Sequence, residues 1–328
     1  MNKIFRRIGE HNPIEALIRR QKPCRKVRGI AATLLPHRAD GRVDVDAFQK
    51  HLVSTHGVHL TNAVNMDTGY VNFLTETEKR NVLGWTRDAL GKDVMFVAGA
   101  YIENQEGDVV TLYRQQLDII VGFGALPIVF QTSRLHGKTA QEKVATYETI
   151  CKNYTEVLAF ELSPRFAVNG EIFDESTVRG LMDIPGLKGM KHSSLDRNLE
   201  WERLALRDKH RPDFCIFTGN DLGINMIEYG SDYLLGLATF APEKFAERDR
   251  LWESGDARYY ELSDALQHLG NVAFREPIAA YKHSAAIFLH STGRISSDSP
   301  HPRNMRRPPW EAELLQDCIQ RLGISKAS

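Results

Sequence analysis

Short apolar runs alternate with longer segments of helical periodicity from residue 28 onward. Eight runs have the length and composition of buried strands, at residues 29–35, 60–65, 94–99, 126–131, 157–161, 186–191, 214–218 and 233–238. Amphipathic stretches lie between them, at residues 75–90, 105–121, 140–153, 175–182, 197–209 and 220–229. A strand followed by a helix, repeated about eight times, is typical of the α/β class and predicts a (β/α)8 TIM barrel.

A doubly wound open sheet is the competing arrangement. It would normally place a glycine-rich phosphate turn directly after the first strand. The segment that follows the first apolar run here reads LLPHRADGR, which is not a GxGxxG turn. The sequence therefore favours the barrel.

The two ends of the chain differ from this repeat. Residues 1–27 are basic, and the spacing of Ile14, Leu17 and Ile18 fits a short amphipathic helix, so this segment is interpreted as a surface arm or interface segment. Three further helical stretches follow the eighth strand, near 242–272, 277–291 and 310–322. We predict an N-terminal basic arm (1–27), a barrel (28–255) and a C-terminal helical extension (256–328).

Composition narrows the class of protein. The 42 basic and 42 acidic residues cancel, which gives no electrostatic reason to expect nucleic acid or an acidic membrane as partner. The four cysteines form no CxxC pair and no zinc-type cluster, as expected for reduced thiols. No apolar stretch has the length of a signal-peptide core or a membrane span. We expect a cytoplasmic protein.

Reactive side chains of a barrel lie at the C-terminal ends of its strands. Lys191 ends the predicted strand at residues 186–191, within the segment GLKGMKHSS. Burial there would lower the pKa of Lys191 and leave a neutral amine able to attack a carbonyl. The alternative is a lysine that reaches solvent or pairs with an acid. Lys188 lies near the start of the same strand, where no special role is expected. His192 should point away from Lys191 and pack behind the barrel wall.

Four segments in order resemble the dihydrodipicolinate synthase and N-acetylneuraminate lyase superfamily of class I Schiff-base aldolases. GIAATLLPHRADGRVDVDAF resembles the first strand, its Pro-containing loop and the start of the first helix. NMDTGYVNFLTETEK resembles the GTTGE segment and the L-T-x-x-E helix start. GLKGMKHSS resembles the strand that bears the imine lysine, and FTGNDLGINMIEYGSDYLLGLATFAPEKF resembles the two strands that follow it.

The resemblance implies a mechanism and a set of contacts. Lys191 would condense with pyruvate or another 2-oxo acid, with no cofactor beyond the covalent imine. The substrate carboxylate would lie on Thr68 and Gly69. Further substrate-binding candidates at strand ends or in the loops after them are Gln131, Arg165, Thr218, Asn220 and Thr239. Family members usually assemble as tetramers built from tight dimers, so a homo-oligomer is expected.

The chain departs from the family pattern in its proton relay. Asp67 replaces the first threonine of GTTGE and Tyr70 replaces its glutamate. The family tyrosine would fall at Phe130 or Gln131, neither of which is a phenol. We therefore predict a rebuilt relay, with Asp67, Tyr70 and Glu161 as catalytic candidates and Tyr101 as a second source of a phenol. Each of these side chains could instead be structural.

Three functions follow from these observations. The first is a Schiff-base lyase, either an aldolase or a dehydratase, that acts on a 2-oxo acid. The second is a catalytically weak family member that binds a ligand for regulation, which the altered relay favours and the retained lysine opposes. The third is a metal-dependent aldolase, for which Glu161 and Asp67 are available but no strand-end histidine pair exists, so we expect no metal.

Overall fold

A computed structural model describes residues 13–325. Its strands are β1 (Gly29–Ala32), β2 (Thr61–Val64), β3 (Val97–Ala100), β4 (Leu126–Val129), β5 (Val157–Leu162), β6 (Leu187–Ser193), β7 (Cys215–Thr218) and β8 (Asp232–Leu235). Its α-helices are α1 (Pro13–Arg20), α2 (Val45–Gly57), α3 (Glu76–Leu90), α4 (Val109–Gly122), α5 (Ala140–Cys151), α6 (Glu175–Met182), α7 (Arg197–His210), α8 (Pro242–Ser254), α9 (Arg258–Ala273), α10 (Tyr281–Ser291) and α11 (Glu311–Arg321).

The eight strands form a closed parallel barrel in chain order. Each strand pairs with the next, and β1 also pairs with β8, with Ile30 opposite Leu234. Closure brings the C-terminal ends of all eight strands to one face, which is the mouth of the barrel. The predicted (β/α)8 fold with a C-terminal helical extension is confirmed.

Alternation along the strands produces two apolar cores. On β5, Leu158, Phe160 and Leu162 point into the barrel, whereas Val157 and Ala159 pack outward against the helices. A side chain's position in the alternation therefore decides whether it faces the barrel interior or the helical layer.

Two helical segments differ from the prediction. Residues 220–229 form no α-helix, because the segment after β7 is a 3₁₀ helix over Ile224–Tyr229. The predicted helix at 242–272 is two helices, α8 and α9. Gly255 ends α8 with a left-handed φ of 72°, which a continuing α-helix cannot accommodate.

The basic arm is tied to the bottom of the barrel where the structure describes it. The amide of Lys22 donates to the carbonyl of Glu228 at 2.6 Å, and the guanidinium of Arg25 pairs with Asp232 at 2.9 Å. The remaining part of the predicted arm, including Arg6 and Arg7, lies outside the described residues. No helix within 13–325 has the length and apolarity needed to cross a bilayer.

Helix α3 begins with a capping box at Thr75. The Thr75 hydroxyl accepts from the amide of Glu78 at 3.3 Å, and the Glu78 carboxylate accepts from the amide of Thr75 at 2.7 Å. We expect Thr75→Ala to lower the free energy of unfolding by about 1 kcal/mol, because it removes the cap. Thr77→Ala is the matched control, since Thr77 is exposed within the same first turn. Urea denaturation measures both, and equal effects at 75 and 77 would contradict the capping role.

Candidate active site

Lys191 points into the barrel from the C-terminal half of β6. Met190 packs in the outer core, so the alternation turns Lys191 inward and His192 outward, as predicted. Lys191 is 7% exposed. A Cβ atom on Gly219 would lie 2.6 Å from Lys191 Cε and 2.0 Å from Ser193 Oγ. The absence of a side chain at Gly219 therefore makes room for the lysine.

The amine of Lys191 is enclosed but is not paired with a carboxylate. Its Nζ lies 4.4 Å from the centroid of the Phe160 ring. Within residues 13–325 it forms no ion pair with a carboxylate. Burial lowers the pKa of Lys191 while the charges of Asp221 and Asp67 raise it, and the net value is about 8. A substantial fraction of the amine is therefore neutral near physiological pH.

The loop after β2 forms a 3₁₀ turn over Asp67–Gly69 at the mouth. The amide of Gly69 donates to the carbonyl of Met66 at 3.0 Å, so it is not free to bind a carboxylate as the sequence suggested. The amides of Asp67 and Thr68 find no acceptor within the described chain. Free amide donors in this loop therefore lie one and two residues before Gly69.

Helix α10 contributes two side chains that sequence reasoning missed. The Tyr281 hydroxyl lies 2.8 Å from Thr68 Oγ1 and donates to Asp67 Oδ2 at 3.0 Å. Lys282 Nζ donates to Asp67 Oδ1 at 3.1 Å and is 3% exposed. A search restricted to strand ends could not find them, because α10 follows the eighth strand by more than 40 residues.

Asp221 follows β7 and is fully enclosed. The strand-end rule includes Asp221, although the sequence analysis assigned it no role. One of its oxygens accepts from the amide of Leu237 at 2.7 Å. Burial is the main cause that raises the pKa of Asp221 to about 7, against the lowering effects of Leu237 and Lys191. A carboxyl group that titrates near neutrality can donate or accept a proton during catalysis.

Glu161 does not face the mouth, and its predicted catalytic role is at odds with its position. It points outward between Phe160 and Leu162, where His192 Nδ1 lies 2.5 Å away and Arg203 Nε donates at 2.9 Å. Burial alone would raise the pKa of Glu161, but His192 and Arg203 lower it to about 2. Glu161 is charged at neutral pH and belongs to a buried cluster behind the barrel wall.

Tyr70 and Gln131 make packing and hydrogen-bond contacts within the protein. The Tyr70 ring packs in the outer core, 5.3 Å from the ring of His37 and 5.5 Å from that of His301. The Gln131 side chain accepts from the amide of Leu162 at 2.9 Å and donates to the carbonyl of Glu171 at 2.6 Å. Its amide group therefore holds the loop after β5, which argues against the substrate contact predicted for it.

Thr218, Asn220 and Thr239 are buried and paired within the protein. Thr218 points outward and donates to Glu200 at 2.9 Å, and Asn220 donates to the same carboxylate at 2.5 Å. The Thr239 hydroxyl accepts from the amide of Leu34 at 3.0 Å and lies 2.8 Å from His51 Nε2. These contacts anchor loops to helices, so the substrate-binding roles predicted for the three residues are not supported.

The basic residues of the loops occupy different surroundings. Arg165 is exposed in the loop after β5 and pairs with Glu276 at 2.6 Å, in an ion pair open to solvent. Arg134 donates to the backbone carbonyls of Ile102 and Gln105 at 2.8 and 2.6 Å. Arg165 is therefore the more available of the two for a substrate.

Tyr101 is the phenol that directly follows β3. Its ring packs against Phe130 at 5.6 Å, and Phe130 packs against Phe160 at 4.9 Å, so a row of aromatic rings leads to Lys191. Burial, with smaller effects of Glu103 and Asp67, raises the pKa of Tyr101 to about 12.

Across residues 13–325, no three histidine, cysteine or carboxylate side chains come together as metal ligands would.

Comparison with known proteins gives consistent similarities. No established protein-family profile matches the chain. The 4-hydroxy-tetrahydrodipicolinate synthase of Kosmotoga olearia is 23% identical over 224 residues, which cover 67% of this chain and 74% of the relative. The enzyme of the same name from Stenotrophomonas maltophilia is 27% identical over 248 residues, covering 72% and 80%.

A solved structure shares the fold. A prophage protein of the dihydrodipicolinic acid synthase family from E. coli K12, crystallised in complex with pyruvate, superposes with a TM-score of 0.77 at 16% identity. The match covers 91% of this chain and 99% of that protein. At this identity the comparison establishes the barrel and its C-terminal helices.

Proposed function

Because the chain belongs to the dihydrodipicolinate synthase superfamily, we propose that it is a lyase that forms an imine between Lys191 and pyruvate or another 2-oxo acid. The observation that carries the proposal is the Lys191 amine. It is enclosed, it has no carboxylate partner among the described residues, and its pKa is lowered to about 8. An amine in this state is a nucleophile near neutral pH.

Two buried groups, Lys191 and Asp221, share the steps of imine formation. The neutral Lys191 amine attacks the ketone carbon, and proton transfer from nitrogen to oxygen gives a carbinolamine. Asp221 in its protonated form supplies a proton to the carbinolamine hydroxyl, which leaves as water while the nitrogen lone pair forms the C=N bond. The positive iminium then draws electrons from the adjacent carbon, so a bond there can break or form. The pKa of about 7 for Asp221 suits this role.

The loop after β2 supplies an anion site for the substrate carboxylate. The free amides of Asp67 and Thr68 are oriented donors, and such donors bind an anion without a formal positive charge. The solved relative that holds pyruvate provides a precedent for this substrate class on the same fold. Asp67 remains the non-standard member of the proton relay, whereas Tyr70 and Glu161 are turned away from Lys191.

Imine formation with pyruvate should show a bell-shaped dependence on pH. The productive state needs Lys191 neutral and Asp221 protonated, and their pKa values of about 8 and about 7 place its maximum population between those two values. The measurement quenches the reaction with borohydride at fixed times and follows the mass gain on Lys191. We expect the rate to fall about tenfold for each pH unit beyond either limb. A profile that stays flat between pH 6 and 9 would contradict the assignment.

The second candidate function is a ligand-binding protein with weak or no turnover. The observation that favours it is Phe160, which presents a ring without a hydroxyl directly to the Lys191 amine. Borohydride trapping separates the two functions. A pyruvate adduct on Lys191 supports the lyase, and the absence of an adduct with every 2-oxo acid tested supports the binding protein.

A further inference from the structure

Tyr281 joins the loop after β2 to the C-terminal helices through its hydroxyl. The oxygen lies within hydrogen-bonding distance of Thr68 and Asp67, at 2.8 and 3.0 Å. Both residues are buried: Thr68 is 2% exposed and Tyr281 is 3% exposed. Gly236 makes the approach possible, because a Cβ there would lie 3.0 Å from the Tyr281 ring and 3.2 Å from Thr68 Oγ1.

The hydrogen bonds of this cluster have a fixed direction. An ionised carboxylate only accepts, so the single Tyr281 proton is donated to Asp67. The Tyr281 oxygen must then accept the proton of Thr68. Lys282 completes the set by donating to the second Asp67 oxygen at 3.1 Å. The arrangement is ready to take up one proton at Thr68 and deliver it to Asp67.

We propose that Thr68, Tyr281 and Asp67 form a proton relay that removes a proton from the carbon next to the imine, with Tyr281 of α10 as the phenol of this site. The inference rests on the proposed function, because it needs an imine on Lys191. Tyr281 acts through Thr68 and is a positioning residue of the relay rather than a group that touches the substrate.

The transfer balances in protons and charge. The C–H bond beside the iminium breaks, and its electron pair forms the C=C bond of the enamine while the positive nitrogen becomes neutral. The proton goes to Thr68 Oγ1, the Thr68 proton goes to Tyr281 and the Tyr281 proton goes to Asp67 Oδ2. Asp67 ends as a neutral acid. Burial, with the nearby charge of Asp67, raises the pKa of Tyr281 well above its ordinary value, so the phenol passes a proton on without ionising.

The packing of α10 against the loop after β2 brings Tyr281 into contact with Asp67. Asp67 reaches Tyr281 and Lys282 on α10, which are 214 and 215 residues away in the chain. Tyr281 also stacks on Phe274 with ring centroids 4.3 Å apart, which holds its hydroxyl in place. The C-terminal extension therefore contributes to the chemistry of the barrel mouth.

Deuterium exchange into pyruvate tests the relay separately from imine formation. The full-length protein is incubated with pyruvate in D₂O, and NMR follows the loss of methyl protons, while borohydride trapping at completion reports the imine. We expect Tyr281→Phe to lower the exchange rate about 100-fold or more and to leave the trapped fraction unchanged. Asp67→Asn gives the same result, because its amide oxygen can still accept from Tyr281 but cannot take up a proton.

Tyr259→Phe is the matched control. Its hydroxyl also donates to a buried carboxylate, that of Glu228 at 3.1 Å, but it lies on α9 away from Thr68. Exchange in this variant should equal that of the wild type. Exchange within about threefold of the wild type in both Tyr281→Phe and Asp67→Asn would overturn the relay while the imine proposal stands. Failure of the wild type to trap pyruvate or any other 2-oxo acid would overturn the proposed function and the relay with it.

Discussion

Lys191→Met should abolish the borohydride adduct with pyruvate and at the same time make the protein more stable. The adduct disappears because methionine has no amine. Stability rises because the folded protein encloses an ammonium group that water would otherwise solvate. The pKa of Lys191 falls from an ordinary value of 10.5 to about 8 on folding, which corresponds to roughly 3 kcal/mol at pH 7.

The sign of this effect depends on pH in a defined way. The folded-state pKa lies below the unfolded value, so the unfolded chain binds the proton more readily and the folded state is destabilised throughout the range below pH 8. The penalty decreases as pH rises from 8 toward 10.5. We therefore expect the gain from Lys191→Met to be full at pH 7 and below, and to shrink when urea denaturation is repeated at alkaline pH.

Lys188→Met is the matched control for Lys191→Met. Lys188 is an exposed lysine of the same strand, and its Nζ donates to the carbonyl of Pro185 at 2.9 Å. We expect an intact adduct and a change in unfolding free energy within about 0.5 kcal/mol. An adduct that persisted in Lys191→Met would show that Lys191 is not the nucleophile. A variant less stable than the wild type at pH 7 would contradict the cost of enclosing the Lys191 ammonium group.

The barrel and the direction of Lys191 could be predicted from the sequence because both depend on local periodicity. Period-2 alternation within an apolar run determines which side chains share a face, and it predicts without any tertiary contact that Lys191 and His192 point to opposite faces. Eight such runs in succession left few alternatives to a closed parallel sheet. The strands also lie where the pattern predicted them, within a few residues at their ends.

The assignment of Glu161 went wrong at the end of a strand. The predicted strand stopped at residue 161, which would have placed Glu161 in the mouth. The strand continues to Leu162, so Glu161 lies within the wall and follows its alternation outward. Thr218 also points outward from the barrel, because its neighbour Phe217 takes the inward position. Strand boundaries are the weakest part of a sequence-based prediction, and an error of one residue decides whether a side chain is assigned to the barrel wall or to the mouth.

Tyr281 and Lys282 could not be predicted because their position depends on tertiary packing. Helix α10 reaches the mouth only through contacts that no local pattern encodes, and Tyr281 meets Thr68 across 213 residues of chain. The sequence did carry a weaker signal. A partly buried aspartate beside Thr68 needs a hydrogen-bond donor nearby, and helix α10 supplies that donor.

Glu161→Gln should destabilise the fold strongly while leaving the chemistry of Lys191 intact. The substitution leaves the buried Arg203 guanidinium without its carboxylate, and removing one partner of such a pair costs about 3–5 kcal/mol. Glu175→Gln is the control, because its ion pair with Arg179 is exposed and worth about 0.5 kcal/mol or less. Urea denaturation measures both variants, and borohydride trapping per folded molecule should match the wild type in each.

A second substitution and a pH series show whether the lost charge of Glu161 causes the destabilisation of Glu161→Gln. Glu161→Gln combined with Arg203→Met removes the unpaired cation, so we expect the double variant to be more stable than Glu161→Gln alone. In the wild type, the pKa of Glu161 lies near 2, below its ordinary value of 4.5, so its stabilising charge is fully present above pH 4.5 and is lost as pH falls through 2. The difference in unfolding free energy between wild type and Glu161→Gln should therefore narrow across that acid range. A loss of trapping without a loss of stability would instead return Glu161 to the catalytic role that its position in the barrel wall argues against.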